Sequence, residues 1–470
     1  MNLNFKKAFF HFLLQTLLVF TVLAQSDAVD KFVQTQIAEQ HVPGVAVAVI
    51  KNGKVVKSKG YGLASVEFQV PATDQSVFEI GSISKQFTSA AIMLLVEDGK
   101  VKLDEKISKY LPDTPETWQN VTVRNLLNHT SGIPSYTRLG GFELFKRYKA
   151  GDFIKELSQH PLDFETGTKY SYNNSGYSLL GYIIESASGK TYWEFLGNRI
   201  FKPLGMNSTA NRDPKFVVRN RVTGYEWENG RLTGRDGVLT DLFSAGAIIS
   251  TVADLAKWDI ALHGNKILKQ TSKDAMWTTG TLNNGENLRY GLGWYVNEFR
   301  GQKVISHSGQ TAGFAANNSL YIDADVNIIV LSNIGTSSLG TIIAKEIAKI
   351  YIPSISLKAL KVKTDENPNL SAKFKNAFEN ILKERFDTEI LDADLIKMLS
   401  AESFKTKHKR INNFGNIKKF ELIETEKLFD KTIYRYRIEM ADKLLAVSFE
   451  SGSDERLSGF FVEEEEDIIR

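Results

Sequence analysis

The segment Gly81-Ser82-Ile83-Ser84-Lys85-Gln86-Phe87-Thr88 sets a serine hydroxyl and a lysine amine three residues apart. It leads into the apolar run Ala90-Ala91-Ile92-Met93-Leu94-Leu95-Val96, and Gly99 closes that run as a C-cap, so Ser82 and Lys85 stand at a helix start. Positions i and i+3 share a helix face, which brings the Lys85 amine near the Ser82 hydroxyl. A free serine is a poor nucleophile, and a desolvated, neutral lysine is one group that can take its proton. Backbone N–H groups at the helix start favour negative charge developing there. Ser-x-x-Lys occurs once in the sequence.

Two further segments carry complementary groups. In Tyr170-Ser171-Tyr172-Asn173-Asn174-Ser175-Gly176-Tyr177, Tyr172 and Asn174 are two apart and point to one side, while Asn173 points away. A phenol beside a lysine ammonium has its ionisation eased and can relay a proton. Asn174 offers a donor and an acceptor to hold the lysine and a substrate carbonyl. In Ser306-His307-Ser308-Gly309-Gln310, the glycine allows close approach of another backbone or of a substrate. A free N–H at Gln310 could join the Ser82 N–H as an oxyanion hole.

The elements that must position these groups are legible. Val45-Ala46-Val47-Ala48-Val49-Ile50, an Asn52-Gly53 turn and Lys54-Val55-Val56-Lys57 form a hairpin signal. More strands are expected at Val304-Ile305, around Ser319-Leu320-Tyr321-Ile322, and at Val326–Leu331, with an amphipathic helix over Leu339–Ile350. The intervening chain is richer in helical pattern, as in Asn174–Ser186 and Val252–Leu262. The expectation is an α+β fold: an antiparallel sheet drawn from both ends of the domain, flanked by helices, with an inserted helical subdomain and the site between them.

Residues 1–24 read as a secretory signal peptide: Lys6 and Lys7 precede a mainly apolar stretch over 8–23, and Val22-Leu23-Ala24 suits cleavage. No stable membrane span is expected after its removal, and the mature chain is expected to be periplasmic or secreted. Cysteine is absent, which excludes disulfides, a thiolate nucleophile or metal site and a lipoprotein cysteine. The formal charge is 58 − 55 = +3, and loss of Lys6 and Lys7 leaves +1, a balance that gives nucleic acid no purchase. No metal-ligand spacing and no cofactor motif is present. The hydrolase domain is expected over 25–352 and a linker over 353–369, where Pro353 and Pro368 lie. A C-terminal α+β module follows over 370–470, loosely resembling the nuclear-transport-factor-2-like fold. There Tyr434, Tyr436, Ile438 and Met440 alternate with charges.

The order and spacing of Ser82-x-x-Lys85, Tyr172-x-Asn174 and His307-x-Gly309 resemble the serine β-lactamase and penicillin-binding-protein superfamily. The Tyr-x-Asn and His-x-Gly forms match its branch of class C β-lactamases, D-peptidases and family VIII-type esterases. Leu126–Pro134, Ser250–Leu255 and Tyr290–Trp294 also look like that branch, and the resemblance spans residues 28 to 352. It implies an acyl-enzyme on Ser82, with Lys85 and Tyr172 sharing general-base duty and Tyr172, helped by His307, protonating the leaving group. Asn174 would position substrate and lysine, and Ser308, Gly309 and Gln310 would bind substrate.

One departure bears on substrate. Many relatives carry lysine where this chain has His307, a weaker clamp for a carboxylate because imidazole is mostly neutral at neutral pH. A D-amino-acid peptide, including peptidoglycan fragments, or a small ester is therefore the expected small-molecule or peptide partner. A penicillin-binding or sensor protein, a weak β-lactamase and a non-catalytic binding scaffold are the alternatives.

Overall fold

The structure is a computed structural model, and it describes residues 28–140, 148–213, 215–235, 242–336, 338–428, 431–441, 443–452 and 455–467. The expected signal peptide lies outside the described residues. Among those residues no helix is long and apolar enough to cross a membrane. The chain divides between Ile352 and Pro353 into two compact units.

The first unit is built on a seven-stranded antiparallel sheet. Its strands are β1 (Gly44–Lys51), β2 (Lys54–Ser65), β3 (Val70–Pro71), β4 (Tyr295–Phe299), β5 (Gln302–Thr311), β6 (Phe314–Tyr321) and β7 (Val326–Ser332). Spatially they run β3-β2-β1-β7-β6-β5-β4, so the N-terminal hairpin zips onto the last strand, Val47 opposite Val330. Asn52 and Gly53 both take positive φ, 51° and 67°, the left-handed pair that a two-residue hairpin turn with native twist demands. Every residue of β6 and β7 is buried, as are the first seven of β1. The apolar runs are therefore continuous because helices cover both faces.

On one face Ala46, Ala48 and Ile50 join a core with two helices, α1 (Ser84–Glu97) and α3 (Val252–His263). On the other, α4 (Leu339–Tyr351) packs on β6 and β7. A further helix, α2 (Asn174–Ser188), belongs to the inserted helical region and packs on α1. The α+β architecture is the one expected. Asn173 caps α2, its side chain accepting from the Gly176 N–H at 2.7 Å, so it turns away from the cleft because it is occupied by the helix end.

The second unit has helices α5 (Pro368–Leu382), α6 (Ala393–Leu399) and α7 (Glu402–Asn412). A four-stranded antiparallel meander follows: β8 (Lys419–Leu428), β9 (Lys431–Glu439), β10 (Lys443–Ser451) and β11 (Leu457–Asp467). Tyr436, Ile438 and Met440 enter its core with Phe374, Phe378 and Phe449. The segment read as a linker is ordered on this unit: Leu357 is buried against Ile423, Leu444 and Ala446, and the Lys363 N–H donates to the Leu422 carbonyl at 2.8 Å. Its apolar residues, Leu357 and Leu360, are what its proline and polar content concealed.

Candidate active site

Ser82 lies in a single 3-10 turn, Gly81–Ile83, that runs directly into α1. One turn on, Lys85 is fully buried. Its Nζ stands 3.0 Å from Ser82 Oγ, 2.8 Å from Asn174 Oδ1 and 2.8 Å from the Ala245 carbonyl. Burial drives the amine well below its ordinary pKa, because the low-dielectric surroundings disfavour the charged form. A lysine ammonium has three donors for three such acceptors. A neutral amine would keep two donors for Asn174 and Ala245 and turn its lone pair to Ser82. One geometry thus serves both protonation states. Ser84 takes a different part: its Oγ accepts from the Ile248 N–H at 3.1 Å and fastens the 243–248 segment to α1.

Tyr172 precedes α2, and the Lys85 Nζ sits 4.8 Å from its ring centroid. Desolvation pushes its phenol well above the ordinary value, and a hydrogen bond with Ser82 opposes that shift without cancelling it. The eased ionisation expected from a neighbouring ammonium is not what burial produces, since Lys85 itself is driven towards neutrality. Asn174, the first residue of α2, receives the lysine on Oδ1 while its Nδ2 faces Thr137 Oγ1 at 3.4 Å.

The opposite wall is the edge of β5. Its register pairs Thr311 with Phe314 and Gly309 with Ala316, while β4 pairs only as far as Ser306. The antiparallel alternation then turns the Gln310 N–H away from β6, towards the edge that β4 leaves open. That edge lies against the Ser82 turn. A Cβ on Gly309 would stand 2.0 Å from the Ile80 carbonyl oxygen, and one on Gly81 would stand 2.7 Å from the Gln310 nitrogen. Only glycine at 309 permits this approach, which brings the backbone nitrogens of Ser82 and Gln310 to one corner of the cleft. The Gln310 side chain is engaged elsewhere, donating to the Gly335 carbonyl at 2.6 Å. Ser308 is partly buried beside it.

His307 is buried, with 1% exposure. Its Nδ1 is 2.6 Å from the Ser308 carbonyl, which fixes the ring proton there, so Nε2 accepts from the Tyr290 hydroxyl at 2.9 Å. Burial above all pushes the imidazole down to about 3. An unperturbed imidazole gains charge as pH falls below about 6.5; here it stays neutral because the pocket is desolvated.

The structure thus brings Ser82, Lys85, Tyr172, Asn174, His307, Gly309 and Gln310 together. It also brings in groups to which no role was assigned from the sequence: the Ala245 carbonyl, Thr137, Tyr290 and His129. His129 packs its ring 4.4 Å from that of Tyr172 and 4.7 Å from that of Tyr290. The signal was present in Leu126–Pro134 and Tyr290–Trp294, but neither pattern reveals which face of the cleft its residues meet. Ala245 left no signal, since it acts through its carbonyl.

Comparison with known proteins agrees with this geometry. The family model described as Beta-lactamase matches residues 29–351. Penicillin-binding protein 4* of Bacillus subtilis (strain 168) is 32% identical over 319 residues, covering 63% of this chain and 69% of its own. The chain spans 63% of the length of a Staphylococcus aureus (strain COL) relative, Protein flp. Among solved structures, the octameric penicillin-binding protein homologue from Pyrococcus abyssi is 25% identical with a TM-score of 0.63, over 93% of this chain and 96% of that one. The D-amino acid amidase from Ochrobactrum anthropi SV3 is 26% identical with a TM-score of 0.61, over 71% of this chain and 98% of its own.

Proposed function

Because the chain belongs to the beta-lactamase family, and so to the serine hydrolases, we propose that it is an exported enzyme that cleaves an amide or ester carbonyl through an acyl-enzyme on Ser82. The observation that carries this reading is the buried Lys85 amine gripped between Ser82 Oγ, Asn174 Oδ1 and the Ala245 carbonyl. Lys85, neutral, takes the Ser82 proton as Oγ attacks the substrate carbonyl. The oxyanion is held by the Ser82 and Gln310 N–H groups, a contribution of about 2.7–4 kcal/mol per donor in comparable sites. Tyr172, kept firmly protonated by burial, passes its proton to the leaving group and is reprotonated from Lys85, so the pair ends as it began. Water then releases the acyl group by the reverse proton path.

A neutral His307 offers no cation for a substrate carboxylate. Neutral esters and D-amino-acid amides or peptides are therefore favoured over penicillins, and peptidoglycan fragments are substrates to the extent that their carboxylate is not gripped there. Residues 25–352 form the hydrolase domain and 370–470 the accessory module in this reading.

The test is covalent: treat the mature protein with a fluorophosphonate, map the adduct, and follow hydrolysis of a small chromogenic ester. Adduct on Ser82 and its loss, together with hydrolysis, in a folded Ser82→Ala are expected. Labelling at Ser84 in that variant would overturn the assignment.

A further inference from the structure

His129 is not required by any step above, yet it holds the tyrosine segment from both sides. Its backbone carbonyl accepts from the Ser171 N–H at 3.0 Å, and its Nδ1 accepts from the Asn173 N–H at 3.0 Å. These two bonds bracket Tyr172. They are possible from a single residue because His129 adopts φ +64°, a left-handed conformation in which carbonyl and side chain can reach the same neighbouring stretch. Outside glycine that region is sparsely occupied, and Asn, Asp and His are the side chains enriched there.

We infer that His129 is a positioning residue for Tyr172, a two-point clamp whose imidazole serves as a neutral hydrogen-bond acceptor. The inference rests on the reading of Tyr172 as the proton relay. With Nδ1 accepting, the ring proton is on Nε2, and among the described residues that buried atom has no hydrogen-bond partner. It is enclosed instead by Tyr172, Tyr177 and Tyr290, whose ring centroids lie 4.4, 5.1 and 4.7 Å from that of His129. A histidine passing protons would need a partner on each nitrogen; His129 has one, and it is a backbone amide. Its contribution is geometric.

The clamp reaches further than Tyr172. Asn173, held through its N–H, caps α2 with its own side chain, and Asn174 is the first residue of that helix. One imidazole therefore fixes the register of both groups that face Lys85. Burial keeps the ring well below its ordinary pKa, so the acceptor is retained. Protonation would place a donor against the Asn173 N–H.

The test uses the full mature chain and two substitutions that both tolerate the left-handed backbone. His129→Asn puts Oδ1 the same number of bonds from Cα as the imidazole Nδ1 and so keeps the acceptor; His129→Gly keeps the conformation and loses it. Acylation by the fluorophosphonate and kcat on a small ester should stay near the parent's in His129→Asn. They should fall by about 10²-fold in His129→Gly, the scale of an ångström of misplacement in a catalytic group, with KM little changed. Equal rates in the two variants, fast or slow, would overturn the clamp. Should the glycine variant fail to fold, imidazole ¹⁵N spectra of the parent at pH 7 still decide: the Nε2–H tautomer is expected, and an Nδ1–H tautomer or a cation would refute it. A parent that is not labelled on Ser82 would sink the reading of the nucleophile, a failure distinct from either of these.

Discussion

Cations are used in opposite ways in the two units. In the cleft, Lys85 is fully buried, its three hydrogen-bond partners are all neutral oxygens, and burial pushes its pKa down. On the second unit's sheet, Arg435 and Arg437 face glutamates across β8 and β9. Arg435 Nη1 lies 3.3 Å from Glu424 and 3.0 Å from Glu426, and Arg437 Nη2 lies 2.7 Å from Glu421. A carboxylate beside Lys85 would hold its proton in place and disable it as a base. The arginines have carboxylates because their work is to join strands. At Lys85, burial without a counter-ion suits proton transfer, whereas the paired, partly exposed arginines hold strands together.

The largest effect should follow from dismantling the unpaired site. Lys85→Ala and Tyr172→Phe should each lower acylation by about 10²–10⁴-fold. The double variant should lose far less than the product, because one proton moves through both groups. Rates measured by stopped-flow labelling would show it. Fully multiplicative losses would mean that the two act on separate steps.

Next in size is the effect of placing a cation at the third wall. His307→Lys should raise the ratio of efficiency on carboxylate-bearing substrates to that on neutral esters. Total activity should fall, since lysine cannot accept from the Tyr290 hydroxyl that Nε2 now receives. In the parent, the same ratio should be flat between pH 5 and 8, because the imidazole pKa of about 3 keeps it neutral throughout. A parent ratio that climbs as pH falls towards 5 would show that His307 is charged in use. The sign for stability is also fixed. The unfolded chain takes up a proton below about 6.5 and the folded state does not, so the contribution of His307 is present above that pH and lost as pH falls towards about 3.

Much of this arrangement was legible in the chain. The Asn52-Gly53 turn, the apolar runs of β1 and β7 and the Ser82/Lys85 pair all obey local periodicities, and the structure contains each of them. The spacing of two between Tyr172 and Asn174 places them on one side because Asn173 is spent on capping α2. What stayed hidden depends on burial or on backbone. Periodicity gives no measure of how dry the cleft is, so neither the depth to which the His307 pKa is pushed nor the firmness of the Tyr172 proton could be read. A carbonyl such as that of Ala245 has no side-chain signature, and the clamp by His129 depends on a left-handed φ that no hydropathy pattern announces. The packing within residues 353–369 was hidden for a related reason: one buried leucine, Leu357, finds a sheet face that its many polar neighbours give no sign of.

The smallest effect belongs to the paired cations, and it sharpens the contrast. Arg435→Met keeps most of the apolar stem that lies along β9 and removes the charge facing Glu424 and Glu426. Partly exposed ion pairs of this kind contribute about 0.2–1 kcal/mol and are weakened by salt. Thermal unfolding of the variant should therefore shift slightly, by less at high ionic strength, and ester hydrolysis should be unchanged. Two like charges would be left facing a neutral methionine, so part of any loss is glutamate repulsion. Arg435→Met combined with Glu424→Gln should recover some of it. A folded Arg435→Met that had lost hydrolysis would break the comparison, because a paired surface cation would then matter to chemistry as an unpaired buried one does.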